Sequence, residues 1–152
     1  MIEVLVSMLI IALWLLASAG MQAGMFKLQK SADSRLKAIA LATELGERME
    51  ANSAEAKAGK YALAAGASIS APTDCAQQAC TTANLAKYDL KQWSDRVAST
   101  LTVDEVTVTR DTTAVLPTYT IRIAWKEPRG RQTYGTAGTE EIASYVMVKV
   151  LA

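Results

Sequence analysis

Between Val4 and Met21 the chain runs eighteen residues without a charge, VLVSMLIIALWLLASAGM, and only the hydroxyls of Ser7 and Ser18 interrupt it. As an α-helix this run spans roughly 27 Å, close to the hydrocarbon thickness of a bilayer. Met25 and Phe26 continue the apolar character, and the first cation is Lys27. A helix that is apolar on every face for five turns does not lie on the surface of an ordinary globular domain. Three readings compete: a buried core helix, a secretory signal cleaved after Ala19, and a span that stays in a membrane or an apolar assembly. Ala17-Ser18-Ala19 fits the small-x-small cleavage pattern. A signal peptide also needs a basic stretch before its apolar run, and this chain opens with Met1-Ile2-Glu3. The retained span is the preferred reading.

Two charge features surround the run. Glu3 sits at its start, where a carboxylate costs up to about 3 kcal/mol if carried to the bilayer centre. Such a residue is expected to have a partner and a function. After the run come Lys27, Lys30, Arg35 and Lys37, opposed only by Asp33. The positive-inside tendency alone would place the following domain in the cytoplasm.

The cysteines point the other way. Cys75 and Cys80 are the two in the chain, and histidine is absent. With no other soft ligand, a four-ligand zinc site has nothing to build on. A redox pair normally has two residues between its thiols, not four. The expected state is a structural disulfide in an oxidising compartment.

The remaining chain reads as one α+β domain. From Lys27 to Asn52, Leu28, Ala32, Leu36, Ile39, Thr43, Gly46 and Met49 recur at intervals of three or four, which predicts an amphipathic continuation of the first helix. A single helix from Ile2 to about Asn52 would be roughly 75 Å long. The alternative is two helices joined near Gly20 and Gly24. Ser53 to Asp74 is rich in Ala, Gly and Ser and reads as a partly helical connection anchored by Tyr61. Thr82 to Ser99 predicts a helix with Ala86, Leu90, Trp93 and Val97 as its apolar stripe, and Lys87, Lys91, Asp95 and Arg96 on its outer faces.

Three strands follow. Leu101 to Arg110 has an alternation that slips at Glu105-Val106, a bulge signal. Tyr119, Ile121, Ile123 and Trp125 alternate with polar or small neighbours. In Ile142 to Leu151, Val146, Val148 and Val150 share one face and Tyr145, Met147 and Lys149 the other. The links are Asp111 to Pro117 and Glu127 to Glu140.

Nothing in these segments predicts chemistry. Lys plus Arg total 16 against 15 for Asp plus Glu, a net charge of +1 that argues against a nucleic-acid binder. The lack of histidine removes the commonest general base, and phosphate-cradling glycine motifs are absent. Asp104-Glu105 and Glu140-Glu141 read as solvated strand edges, and Arg129 and Arg131 as a solubilising loop. No catalytic, cofactor-binding or metal residues are expected.

The start MIEVLVSMLIIALWLLASAGMQ resembles the processed N-terminus of type IV pilins and pilin-like proteins. That family carries a short basic leader ending in Gly, then Phe, Thr or Ser, Leu or Met, and Ile-Glu-Val-Leu-Val. Met1-Ile2-Glu3-Val4-Leu5-Val6 match from the Leu-or-Met position onward. Gly46-Glu47-Arg48-Met49-Glu50-Ala51-Asn52, Tyr61, Cys75 and Cys80, and Ala86-Lys87-Tyr88-Asp89-Leu90 with Trp93 look like a minor pilin of the PilV type.

The resemblance implies a long N-terminal helix packed on a small antiparallel sheet. Residues 1–26 would be a transmembrane or filament-core half-helix, with Val4, Leu5, Leu9, Ile10, Leu13, Trp14 and Leu16 on its surface. Residues 27–152 would be a periplasmic globular domain. Glu3 would act in subunit assembly by pairing with a neighbour's N-terminal ammonium. The implied function is structural, a minor subunit for pilus assembly or its initiation, placed in the inner membrane and at or near the filament tip. Implied partners are other minor pilins, the major pilin, the inner-membrane assembly machinery and a prepilin peptidase acting on a leader upstream of Met1. A pseudopilin of a type II secretion system, and a secreted binding domain cleaved after Ala19, are the alternatives.

Overall fold

A computed structural model describes residues 2–70, 73–128 and 140–151. Helix α1 covers Ile2–Ala51, α2 Ser53–Lys57 and α3 Thr82–Thr100; strands β1 Val103–Asp111, β2 Thr118–Pro128 and β3 Glu140–Val150 follow. The architecture is α+β, as expected from the sequence. Helix α1 continues through Gly20 and Gly24 without a break. By contact density the chain divides into two units, Met1–Ser34 and Arg35–Ala152.

The second unit holds the core. Its strands form one antiparallel sheet in the order β1-β2-β3. Tyr119, Ile121, Ile123 and Trp125 all point into the core from β2, as their alternation predicts. From α3, Ala86, Leu90, Trp93 and Val97 are buried against the same core. The Trp93 indole N–H donates to the Leu41 carbonyl of α1 at 2.7 Å, so the ring plugs the α1–α3 contact and loses no hydrogen bond on burial.

The core stripe of α1 differs from the one read from the sequence. Ala38, Leu41, Ala42, Leu45 and Met49 are buried. Of the expected stripe only Gly46 and Met49 are buried; Leu28, Ala32, Leu36, Ile39 and Thr43 are exposed. The reason is that this helix carries two apolar stripes. The chosen one is built around Ala38, Ala42 and Gly46, whose small side chains let the helix lie close to its neighbours. A Cβ built at Gly46 would come 3.1 Å from the Met147 methyl, so β3 crosses α1 where there is no side chain to hold it off.

Smaller differences are local. The irregularity in β1 falls between Val103 and Glu105, not at Glu105-Val106, leaving Asp104 without a place in the ladder. Leu101 is a buried residue at the end of α3, not the first residue of β1. The expectations for Arg129 and Arg131 lie outside the described residues. On β3, Tyr145 and Met147 pack against the core, while Ile142, Val146, Val148 and Val150 are all about half exposed. Lys149 shares the inner face and pairs with Glu50 of α1.

Residues 28–33 are exposed throughout. Fragments starting at Lys27 and at Arg35 should therefore unfold cooperatively with the same midpoint in chemical denaturation. Trp93→Ala in either fragment should lower stability by about 3–5 kcal/mol.

Candidate assembly helix and its anchorage

Helix α1 between Ile2 and Gln22 is long and apolar enough to cross a membrane, and none of that stretch is buried. Every residue expected to act there is on this exposed surface: Val4 at 56%, Leu5 at 67%, Leu9 at 62%, Ile10 at 60%, Leu13 at 59%, Trp14 at 68% and Leu16 at 71%. Thirteen large apolar side chains from Ile2 to Met21 are at least half exposed. Soluble monomers rarely expose more than a few hundred Å² of contiguous apolar surface. At about 1.5–3 kcal/mol per fully buried side chain, covering this surface is worth on the order of 15 kcal/mol. A bilayer or other apolar helices can supply that cover.

The polar groups in the run are arranged for such surroundings. The Ser7 hydroxyl donates to the Val4 carbonyl and the Ser18 hydroxyl to the Trp14 carbonyl, both at 2.9 Å. Each serine thus satisfies its donor inside its own helix, where no water is needed. Glu3 lies in the first turn, where the helix dipole favours a carboxylate.

The helix is anchored in the second unit by a polar network that the apolar pattern did not reveal. Asp89 is buried on the core side of α3. Its carboxylate receives the Arg48 guanidinium of α1 at 3.1 Å and the Tyr61 hydroxyl at 2.7 Å. Arg48 also donates to Glu44 at 2.8 Å and Gln92 at 2.6 Å. The Asn52 amide donates to the Thr82 carbonyl at 2.9 Å and to the Tyr61 hydroxyl at 3.3 Å. One cluster therefore ties the end of α1, the following connection and α3 together. The legible signal was Asp89 itself, a carboxylate three residues from Ala86 and four from Trp93. A charge on the core face of a helix requires a partner.

Cys75 and Cys80 form a disulfide just before α3. Thr81 caps that helix, its hydroxyl accepting from the Asn84 N–H at 3.3 Å. The Tyr119 hydroxyl donates to the Ala56 carbonyl at 2.7 Å, fixing α2 over the sheet.

Burial pushes the Tyr61 hydroxyl well above its ordinary value of 10.0, and its bond to Asp89 adds to the rise. Burial also raises Tyr119. Both are raised relative to the unfolded chain, so the stability they contribute is complete below about pH 10 and falls as pH rises further. Ultraviolet titration should show two of the five tyrosines ionising only as the fold is lost. Tyr61→Phe should cost about 1–3 kcal/mol at neutral pH, by removing a hydrogen bond to a charged group, and should flatten the alkaline loss.

Residues 20–91, just under half of the chain, match the family model for Tt1218-like type IV pilins. The matched stretch holds Arg48, Asn52, Tyr61, both cysteines and Asp89. No curated protein and no solved structure matches the chain.

Proposed function

We propose that this chain, a type IV pilin-like protein, is a minor structural subunit of the PilV type that takes part in pilus assembly or its initiation. The observation that carries the reading is the apolar stretch Ile2–Gln22, none of it buried, on the same helix whose other end is clamped in the core. Pilins are structural proteins, and nothing in the reading calls for catalysis. Residues 1–26 act as the membrane and filament-core half, and residues 27–152 as the globular half. The apolar half stores the subunit in the inner membrane. Extraction into a filament exchanges lipid contacts for helix–helix contacts with little change in apolar burial. Its neighbours are the other minor pilins and the major pilin, near the filament tip. The inner-membrane machinery moves it, and a prepilin peptidase processes its precursor.

Glu3 supplies selectivity in this scheme. A carboxylate in an apolar bundle is unfavourable until a neighbour's N-terminal ammonium meets it. The exposed stripe Leu28, Ala32, Leu36 and Ile39 offers further surface for neighbouring helices.

In cells whose only copy is Glu3→Ala, protein level and membrane insertion should match wild type while surface pili fall severalfold. Pilus counts equal to wild type would overturn the role of Glu3.

The compartment has its own test. For a periplasmic domain, alkylation of freshly isolated protein without reductant should add no label to Cys75 or Cys80, and two labels after reduction, read by intact mass. Loss of the ring should lower stability by about 2 kcal/mol on the loop-entropy model. Two free thiols at isolation would place the domain in the cytoplasm.

A further inference from the structure

The basic residues that follow the apolar run conflict with the placement that the disulfide supports, and the assembly role leaves them without a task. Lys27 and Lys30 follow Gln22, the end of the run, by five and eight residues of continuous helix. At the helical rise these are about 7 Å and 12 Å. The headgroup layer on each side of a bilayer is about 5–8 Å thick. With Gln22 at the hydrocarbon edge, Lys27 lies at headgroup depth, and Lys30 is within reach of it on a four-carbon stem.

Side chains on a helix lean toward its N-terminus, which on α1 means toward the apolar run. Lys30 is exposed and makes no ion pair among the described residues. Met25 and Phe26, 68% and 69% exposed, lie about 4 Å and 6 Å beyond Gln22 on the helical rise, between the hydrocarbon edge and Lys27. Asp33, Arg35 and Lys37 follow Gln22 by eleven residues or more, at about 16 Å and beyond on the helical rise. That exceeds the Debye length of about 8 Å at physiological salt.

We propose that Lys27 and Lys30 bind the phosphates of anionic phospholipids in the leaflet that α1 leaves after Gln22. The site rests on the membrane-stored reading given above. Charge and depth favour lipid over a protein partner: the helix carries residue 27 at headgroup depth and Lys30 within reach of it. The contact would set how deep the stored subunit rides, and it is released when the helix leaves the bilayer.

The test uses the full-length chain reconstituted in phosphatidylcholine bilayers. Electron spin resonance of spin-labelled phosphatidylglycerol, compared with spin-labelled phosphatidylcholine, measures the selectivity of lipid at the protein surface. At physiological salt the expected preference for the anionic lipid is about fivefold per lysine, falling as salt is raised further. Lys27→Gln with Lys30→Gln should abolish it, while Arg35→Gln with Lys37→Gln should leave it largely intact. No preference in the wild type, an unchanged preference in the first double variant, or its loss in the second would overturn the proposal. Flotation with vesicles separates the two readings. A chain that does not float defeats membrane storage and the lipid site together, whereas one that floats without lipid preference defeats the lipid site alone.

Discussion

One uninterrupted helix has to satisfy two different surroundings, and the rest of the molecule follows from that requirement. From Arg35 onward α1 is a structural member of a globular unit, with Ala38, Leu41, Ala42, Leu45 and Met49 in its core. From Ile2 to Gln22 the same backbone ladder carries side chains that water solvates poorly on every face. Regular helix meets both demands because all its backbone hydrogen bonds are internal. The surroundings can change along the axis with no change in backbone pairing. The globular unit must then hold its end of the helix by side chains alone.

That hold is partly apolar and partly polar, and the two parts do different work. Trp93 fills volume between α1 and α3 and fixes its own orientation through the Leu41 carbonyl. Apolar packing of this kind tolerates small rotations of a helix. The cluster of Arg48, Asp89, Tyr61 and Asn52 does not, because each bond has a direction and each buried polar atom is costly when unpaired. The cluster fixes the rotation of α1 about its axis in the globular unit, and therefore which of its two apolar stripes is buried.

This explains how much could be read from the sequence. The apolar run, the α3 stripe and the β2 alternation were plain because each has a single apolar face or none that is polar. The second half of α1 was misread because Leu36 and Ile39 mark as good a stripe as Leu41 and Leu45. Periodicity finds stripes but does not rank them. The polar atoms of Arg48 and Asp89, 41 residues apart in sequence, make the choice. Strand β3 posed the same problem. Both of its faces are apolar, and Gly46 under Met147 decides which one faces the helix. Glu3 stood out in the sequence as a charge at the start of an apolar span, and the proposed assembly gives it a neighbour's ammonium as its partner.

The serines of the run carry a further consequence. From Ile2 to Met21 the polar side chains are Glu3, Ser7 and Ser18. Both hydroxyls donate within the helix, so neither has a proton left to offer a neighbour. A smooth apolar rod of this kind is nearly degenerate: sliding it by one turn, about 5.4 Å, or spinning it about its axis exchanges one set of aliphatic contacts for another of similar energy. In the proposed assembly the lone carboxylate of Glu3 breaks that symmetry. It gives the surface one marked point, against which every other position and rotation is out of alignment, so the energy that holds the rod and the information that positions it reside in different residues.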